Sequence, residues 1–202
     1  MTAPHVELFF DPICPWAWMT SRWLLNASQV RDVEITFSLM SLAALNEGRD
    51  LDAGYRRSMD DAWGPARVAL AVENAGGNQD LADFYTAFGQ AYHVGGLQDR
   101  RDAAKTALEQ AGLDPSLLES YQDSSLDDTL RTKQKAVVEL VGDEVGTPVI
   151  SFGDGRAYFG PVISPAPKGE EAGTLFDGLE AMSRVDGFFE LKRSRTVGPI
   201  FD

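Results

Sequence analysis

One junction constrains this chain more than any other feature: a short apolar strand that runs directly into a helix, with a cysteine at the joint. Val6-Glu7-Leu8-Phe9-Phe10 is apolar and β-rich, and Asp11-Pro12 closes it, so it reads as a buried strand. Cys14-Pro15-Trp16 then opens a helix, because proline is favoured at the first helical position. Trp18, Met19, Trp23, Leu24 and Leu25 continue it as an apolar stripe at helical spacing. Residues 33–39 alternate with period two after a polar turn, which predicts a second strand. Strand, helix and strand in that order make a parallel, right-handed crossover.

A thiol at a helix N-terminus faces unpaired N–H groups and the positive end of the helix dipole, and both favour the thiolate. Such cysteines ionise at ~3.5–7.5, against ~8.5 for a free thiol, so Cys14 is expected to be a reactive thiolate. The competing reading is a small buried apolar side chain. The coincidence of strand, loop, Cys-Pro and helix favours reactivity. Cys14 is the single cysteine, which excludes an intrachain disulfide and a multi-cysteine metal site.

From about Leu45 to Tyr121 strand signals are sparse. Helices are expected over 53–60, 65–75, 80–92 and 100–111, with Gly76-Gly77, Gly95-Gly96 and Gly112 as stops. A short helix from Asp114-Pro115 and a longer one over 126–141 follow. The β character returns with a strand over 148–152, a tight turn at Gly153-Asp154-Gly155, a partner strand over 156–159 and a closing helix over 169–184. The order is an α/β, thioredoxin-like fold of the DsbA type with an inserted all-helical domain. The expected division is 1–44 and 126–202 for the thioredoxin-like domain and 45–125 for the insertion. In such a fold Pro148 is expected to be cis and to lie against Cys14, while Thr147 offers its backbone to an extended thiol substrate.

The motifs Asp11-Pro12-Ile13-Cys14-Pro15-Trp16-Ala17-Trp18, Met40-Ser41-Leu42, Leu45-Asn46, Trp63-Gly64-Pro65, Gly146-Thr147-Pro148, Phe159-Gly160-Pro161 and Phe188-Phe189-Glu190-Leu191-Lys192-Arg193 span nearly the whole chain. Together they resemble the DsbA-like mycothiol-dependent nitroreductases. The resemblance implies a cytoplasmic, dimeric enzyme that takes mycothiol as its thiol cosubstrate and reduces disulfides or nitro compounds. It also implies pocket roles for Asn46 and Tyr55. The chain departs from the family's Cys-Pro-Trp-Cys at one position, where Ala17 stands for the second cysteine. A second thiol resolves a mixed disulfide by attacking the first sulfur, and Ala17 cannot do this. The cycle is therefore expected to be monothiol, whether Ala17 is natural or an introduced replacement.

Around Cys14, Pro15, Trp16, Ala17, Thr147 and Pro148 are expected to support the site, Trp16 either as a wall for a flat substrate or packed against the insertion. Trp63 and His93 are further candidates for the substrate pocket, though Trp63 reads mainly as a helix entry and His93 either as a proton donor, a pocket wall or a structural residue. His5 is expected ahead of the first strand and in solvent. Lys192, Arg193 and Arg195 either attract an anionic substrate or pair with neighbouring carboxylates.

A net charge of −13 argues against nucleic acid and anionic membrane surfaces. The absence of a basic start followed by a long apolar stretch points to the cytoplasm. No phosphate-binding glycine loop or metal-ligand spacing stands out, so neither a nucleotide nor a metal is expected. Two further functions compete with the redox one. One is a thiol transferase or isomerase of the kappa-transferase type. The other is a binding or sensor protein modified on Cys14.

Overall fold

The computed structural model describes residues 3–201, so the outer ends of the expected 1–44 and 126–202 segments, Met1, Thr2 and Asp202, lie outside the described residues. Strand β1 (His5–Phe10) leads into helix α1 (Pro15–Ala27), and β2 (Glu34–Leu39) returns parallel to β1 in the register His5 to Glu34 through Phe10 to Leu39. His5 thus begins β1 instead of preceding it, and its Nε2 pairs with Thr36 Oγ1 at 2.8 Å. Strands β3 (Val149–Ser151) and β4 (Ala157–Phe159) complete the sheet in the order β2-β1-β3-β4, with β3 antiparallel to β1 and to β4. Between β2 and β3 lie helices α2 (Leu42–Leu45), α3 (Ala53–Asp60), α4 (Trp63–Gly89), α5 (Arg100–Gln110) and α6 (Asp127–Val141). Helix α7 (Gly169–Ser183) follows β4. The architecture is the expected α/β sheet with a helical insertion.

Local chemistry explains most helix starts. Asp52 accepts from the N–H groups of Gly54 and Tyr55, and Asp99 from those of Arg101 and Asp102. The two helices expected over 65–75 and 80–92 meet at a kink instead of a loop: Gly77 takes φ 79° within α4. Asn78, just beyond it, accepts from Phe37 N–H at 3.1 Å and donates to Phe37 C=O at 2.6 Å. The kink therefore lays α4 along β2 and satisfies backbone groups at that sheet edge. The short helix α2 and the π turn over Gln90–Val94, which prolongs α4, carried no periodic signal in the sequence.

One apolar core joins the sheet, α1 and the insertion. Phe10 of β1 stacks on Tyr85 of α4 with ring centroids 3.8 Å apart, and Trp18 of α1 meets the same tyrosine edge-on at 5.8 Å. On the opposite side α1 packs on α7, where the Trp23 indole N–H donates to Ala172 C=O at 3.0 Å. The connection from β4 to α7 is held to α1 as well: Thr20 Oγ1 donates to Pro161 C=O at 2.6 Å and Asn26 Nδ2 to Pro167 C=O at 2.9 Å.

Candidate active site

Cys14 is the N-cap of α1, and Pro15 is the first helical residue. The Ala17 N–H donates to Cys14 Sγ at 3.4 Å, so the position at which a second cysteine would stand contributes only its backbone to the sulfur. The thiol in turn donates to Thr147 C=O at 3.4 Å. The Thr147–Pro148 peptide is cis and leads directly into β3, beside β1. The sheet thus brings together residues 133 positions apart in the chain. The Thr147 hydroxyl, buried and with no other partner, also faces the sulfur and favours its ionised form.

The ionisation state departs from the sequence expectation. Cys14 is only 6% exposed, and burial is the largest influence on it, pushing the thiol's pKa up from its ordinary value. The N–H groups of Ala17 and Trp16 and the Thr147 hydroxyl pull the other way without prevailing, and the Asp11 carboxylate pushes it further up. A helix N-terminus stabilises a thiolate, but stripping water from the anion here costs more than those donors return. In this closed arrangement burial works against the thiolate that the helix N-terminus was expected to favour.

Asp11 organises the loop that carries the cysteine. Its two carboxylate oxygens accept from Ile13 N–H at 3.0 Å and Leu42 N–H at 2.7 Å, and its backbone carbonyl accepts from Cys14 N–H at 3.0 Å. One side chain therefore ties the cysteine loop to the start of α2. Full burial raises its pKa to about 6, against the two backbone donors and the more distant Arg100, which lower it. Arg100 itself donates to Ser58 and to the Tyr92 hydroxyl.

His93 lies on the other side of the same loop, on the π turn. Its Nε2–H donates to Pro12 C=O at 3.0 Å, and its ring stacks on Trp18 with centroids 5.9 Å apart. Burial pulls its pKa down to about 4. A neutral imidazole with one nitrogen committed to a backbone carbonyl holds the loop in place. Arg22 completes this underside: its guanidinium lies 4.0 Å from the Trp18 ring centre, and burial lowers its pKa to about 10.

The other sequence candidates occupy different settings. Trp16 is half-buried at the mouth of the helix, with the Arg195 guanidinium 5.1 Å from its ring centre. Asn46 is buried, and its amide donates to Leu42 C=O at 2.8 Å and to Met59 Sδ at 3.5 Å. Tyr55 is 43% exposed on α3. The Trp63 ring lies beneath the guanidinium groups of Arg67 and Arg131, at 5.6 and 5.2 Å. Asp11, Arg22 and Phe201 were not singled out as site residues by sequence reasoning, although the place of Asp11 three residues before Cys14 was visible, and Arg195 was weighed only as part of a basic cluster. Among the described residues no group of His, Cys, Asp and Glu could hold a metal ion, and no helix is long and apolar enough to cross a membrane.

Solved structures share this fold. The cytosolic disulfide reductase DsbM from Pseudomonas aeruginosa aligns with a TM-score of 0.53 at 17% identity, covering 88% of this chain and 99% of that one. A 2-hydroxychromene-2-carboxylate isomerase aligns with a TM-score of 0.54 at 20% identity, over 89% and 95% of the two chains. In sequence, protein Rv2286c of Mycobacterium tuberculosis is 27% identical over 198 residues, which cover 96% of this chain and 84% of the relative. The model of the Rv2466c-like family, described as mycothiol-dependent nitroreductase Rv2466c, matches residues 13–193, from the residue before Cys14 into the basic cluster. The chain therefore belongs to the Rv2466c-like mycothiol-dependent nitroreductase family and is a thiol-dependent oxidoreductase on a DsbA-like thioredoxin fold.

Proposed function

We propose that the chain reduces disulfides or nitro compounds in a monothiol cycle that runs through Cys14 and draws its electrons from mycothiol. The observation that carries this reading is the environment of the sulfur: a lone thiol at a helix N-cap, facing Thr147 beside Pro148, with only a backbone N–H at Ala17. Cys14 loses its proton and attacks one sulfur of a disulfide. That bond breaks, the other sulfur leaves as a thiolate, and Cys14 is left in a mixed disulfide. With no second thiol in the chain, an external mycothiol thiolate attacks the substrate sulfur, releasing Cys14 as a thiolate and forming a mycothiol–substrate disulfide; a second mycothiol reduces that to the substrate thiol and mycothiol disulfide. For a nitro group, Cys14 and one mycothiol together give up two electrons and two protons. This yields the nitroso compound, water and the same Cys14–mycothiol disulfide, and a second mycothiol then frees the enzyme.

Within this reading Trp16 walls the site, Thr147 docks the incoming thiol through its backbone, and Pro148 holds Thr147 against the sulfur. Asn46, Tyr55 and Trp63 shape the pocket from the insertion, while His93 fixes the cysteine loop. The buried Thr147 hydroxyl, which has no other partner, suits a site that must stabilise a sulfur anion as it forms. A cytoplasmic homodimer and the division at residues 45 and 125 go with the same reading.

Turnover of a small disulfide and of a nitroaromatic, with mycothiol as reductant, tests it. Cys14→Ser is expected to lower both rates by at least about a hundredfold, and a serine variant of unchanged activity would overturn the reading. One observation also favours a transferase or isomerase: Ala17 leaves the chain without an internal route to a disulfide. Those reactions consume no thiol reducing equivalents, so one mycothiol disulfide formed per disulfide reduced excludes them.

A further inference from the structure

Several arginines of this acidic chain lie against carboxylates: Arg31 on Glu170 and Asp177, Arg67 on Asp127, Arg131 on Glu47 and Asp128. Arg195 does not. Its guanidinium sits on the Trp16 ring, 5.1 Å from the centre, and has no carboxylate partner among the described residues. Trp16 is the second residue of α1, directly after Cys14-Pro15. A cation with free donors therefore stands at the helix end that presents the sulfur.

The stretch that carries it is anchored. Ser164 Oγ donates to Gly198 C=O at 2.8 Å and accepts from Ile200 N–H at 2.9 Å. The Phe201 ring packs on His93 with centroids 5.6 Å apart, and His93 donates to Pro12 C=O in the cysteine loop. Phe201, a few residues beyond Arg195, is thereby tied through His93 to the loop that holds Cys14. A guanidinium stacked on an aromatic face keeps its N–H donors in its own plane, ready for a bidentate acceptor. Lys192 and Arg193 are exposed in the same stretch and add positive potential to a chain whose net charge is −13.

Resting on the reading of Cys14 as the reacting thiol, we propose that Arg195 is a specificity-determining residue that holds a carboxylate of the disulfide Cys14 attacks. The attack releases the distal half of the disulfide as a thiolate and leaves the carboxylate-bearing half on Cys14, its acid group against the guanidinium. The chain thus selects disulfides with a carboxylate near the scissile sulfurs over neutral ones of similar size.

The test compares two chromogenic disulfides, the dianionic bis(carboxynitrophenyl) disulfide and the neutral dipyridyl disulfide, by stopped-flow second-order rate constants. The readout is the ratio of the anionic to the neutral constant. Arg195→Gln is expected to lower that ratio about tenfold, as loss of one charge-assisted contact does. Arg195→Lys restores only part of it, because the ammonium keeps the charge and loses the fork. Arg184→Gln removes the same charge from an arginine paired with Glu180 and is expected to change the ratio by less than about twofold. An unchanged ratio in Arg195→Gln overturns the proposal, including the case in which both constants rise together. An equal fall in Arg184→Gln overturns it too, since distant charge would then be the cause. Failure of Cys14 to react with either reagent overturns the reading of the thiol itself, whereas a reactive thiol with a ratio independent of Arg195 overturns only the role given to Arg195.

Discussion

At Cys14 two residue-level effects oppose each other, and the structure decides between them. The helix N-terminus favours the thiolate, but the sulfur is nearly sealed and burial dominates. The alkylation rate of Cys14 is therefore expected to keep climbing with pH through about 9, and a plateau reached by about pH 7 would contradict the dominance of burial. His93 gives a second residue-scale prediction. Its pKa falls from 6.5 unfolded to about 4 folded, so its native contacts count fully above pH 6.5 and are lost as pH falls toward 4. Asp11 runs the other way: raised from 3.8 to about 6, it favours the fold most below 3.8 and loses that contribution as pH rises through 6. His93→Phe keeps the stack on Trp18 and removes the bond to Pro12. The variant is expected to be less stable by about 1 kcal/mol at pH 7, a gap that narrows as the pH is lowered from 6.5 to 4. Urea midpoints across that range check it, and a gap independent of pH would contradict it. Cys14 is marked in the sequence by its local strand-to-helix setting, and Thr147-Pro148 only by the order of elements that places it opposite Cys14. The burial of the sulfur could not be read there, since it depends on a contact with Thr147 across 133 positions. Nor could the role of Asp11, which looks like an ordinary strand stop until Leu42 is seen to bond it.

Among the elements, α1 connects the site to the rest of the molecule, presenting Cys14 at its start and burying Trp18 and Trp23 along its length. Gly89, at the end of α4, leaves room for Trp18: a Cβ there would lie 2.1 Å from the indole ring. Gly89→Ala must push the ring that supports both His93 and Arg22, so it is expected to cost about 2 kcal/mol. The measurement is the denaturant midpoint, and an unshifted midpoint would show that the contact is looser than the geometry gives. Helical periodicity located α3, α5, α6 and α7 to within about two residues, because their starts and stops are set by nearby capping residues and glycines. It separated α4 into two pieces at Gly76-Gly77 because a glycine pair is a strong local stop signal. The break is there, since Gly77 leaves the helical region, but the two pieces join directly at a kink where Asn78 pairs with Phe37 in β2, which a reading of adjacent residues does not contain.

For the molecule as a whole, the helical insertion and the sheet share one core. Phe84, Tyr85 and Phe88 of α4 belong to the same buried cluster as Phe10, Trp18 and Ile150. Residues 46–125 replaced by a short glycine-rich linker should therefore leave a chain without a cooperative unfolding transition, because Phe10 and Trp18 would face water. A sharp transition in the shortened chain would mean that the sheet carries a sufficient core of its own. The same shared core makes the insertion part of the candidate site's support, through the His93–Pro12 bond and the charge of Arg100 toward Asp11. The central claim for the whole molecule is a monothiol cycle at Cys14, with the missing step located at Ala17. Intact mass after incubation with mycothiol disulfide, on this chain and on its Ala17→Cys variant, tests it most directly. The account predicts one stable mycothiol adduct on this chain, and in the variant its loss as Cys14 bridges to the restored thiol. No adduct on either chain, with Cys14 reduced and titratable after denaturation, would contradict it.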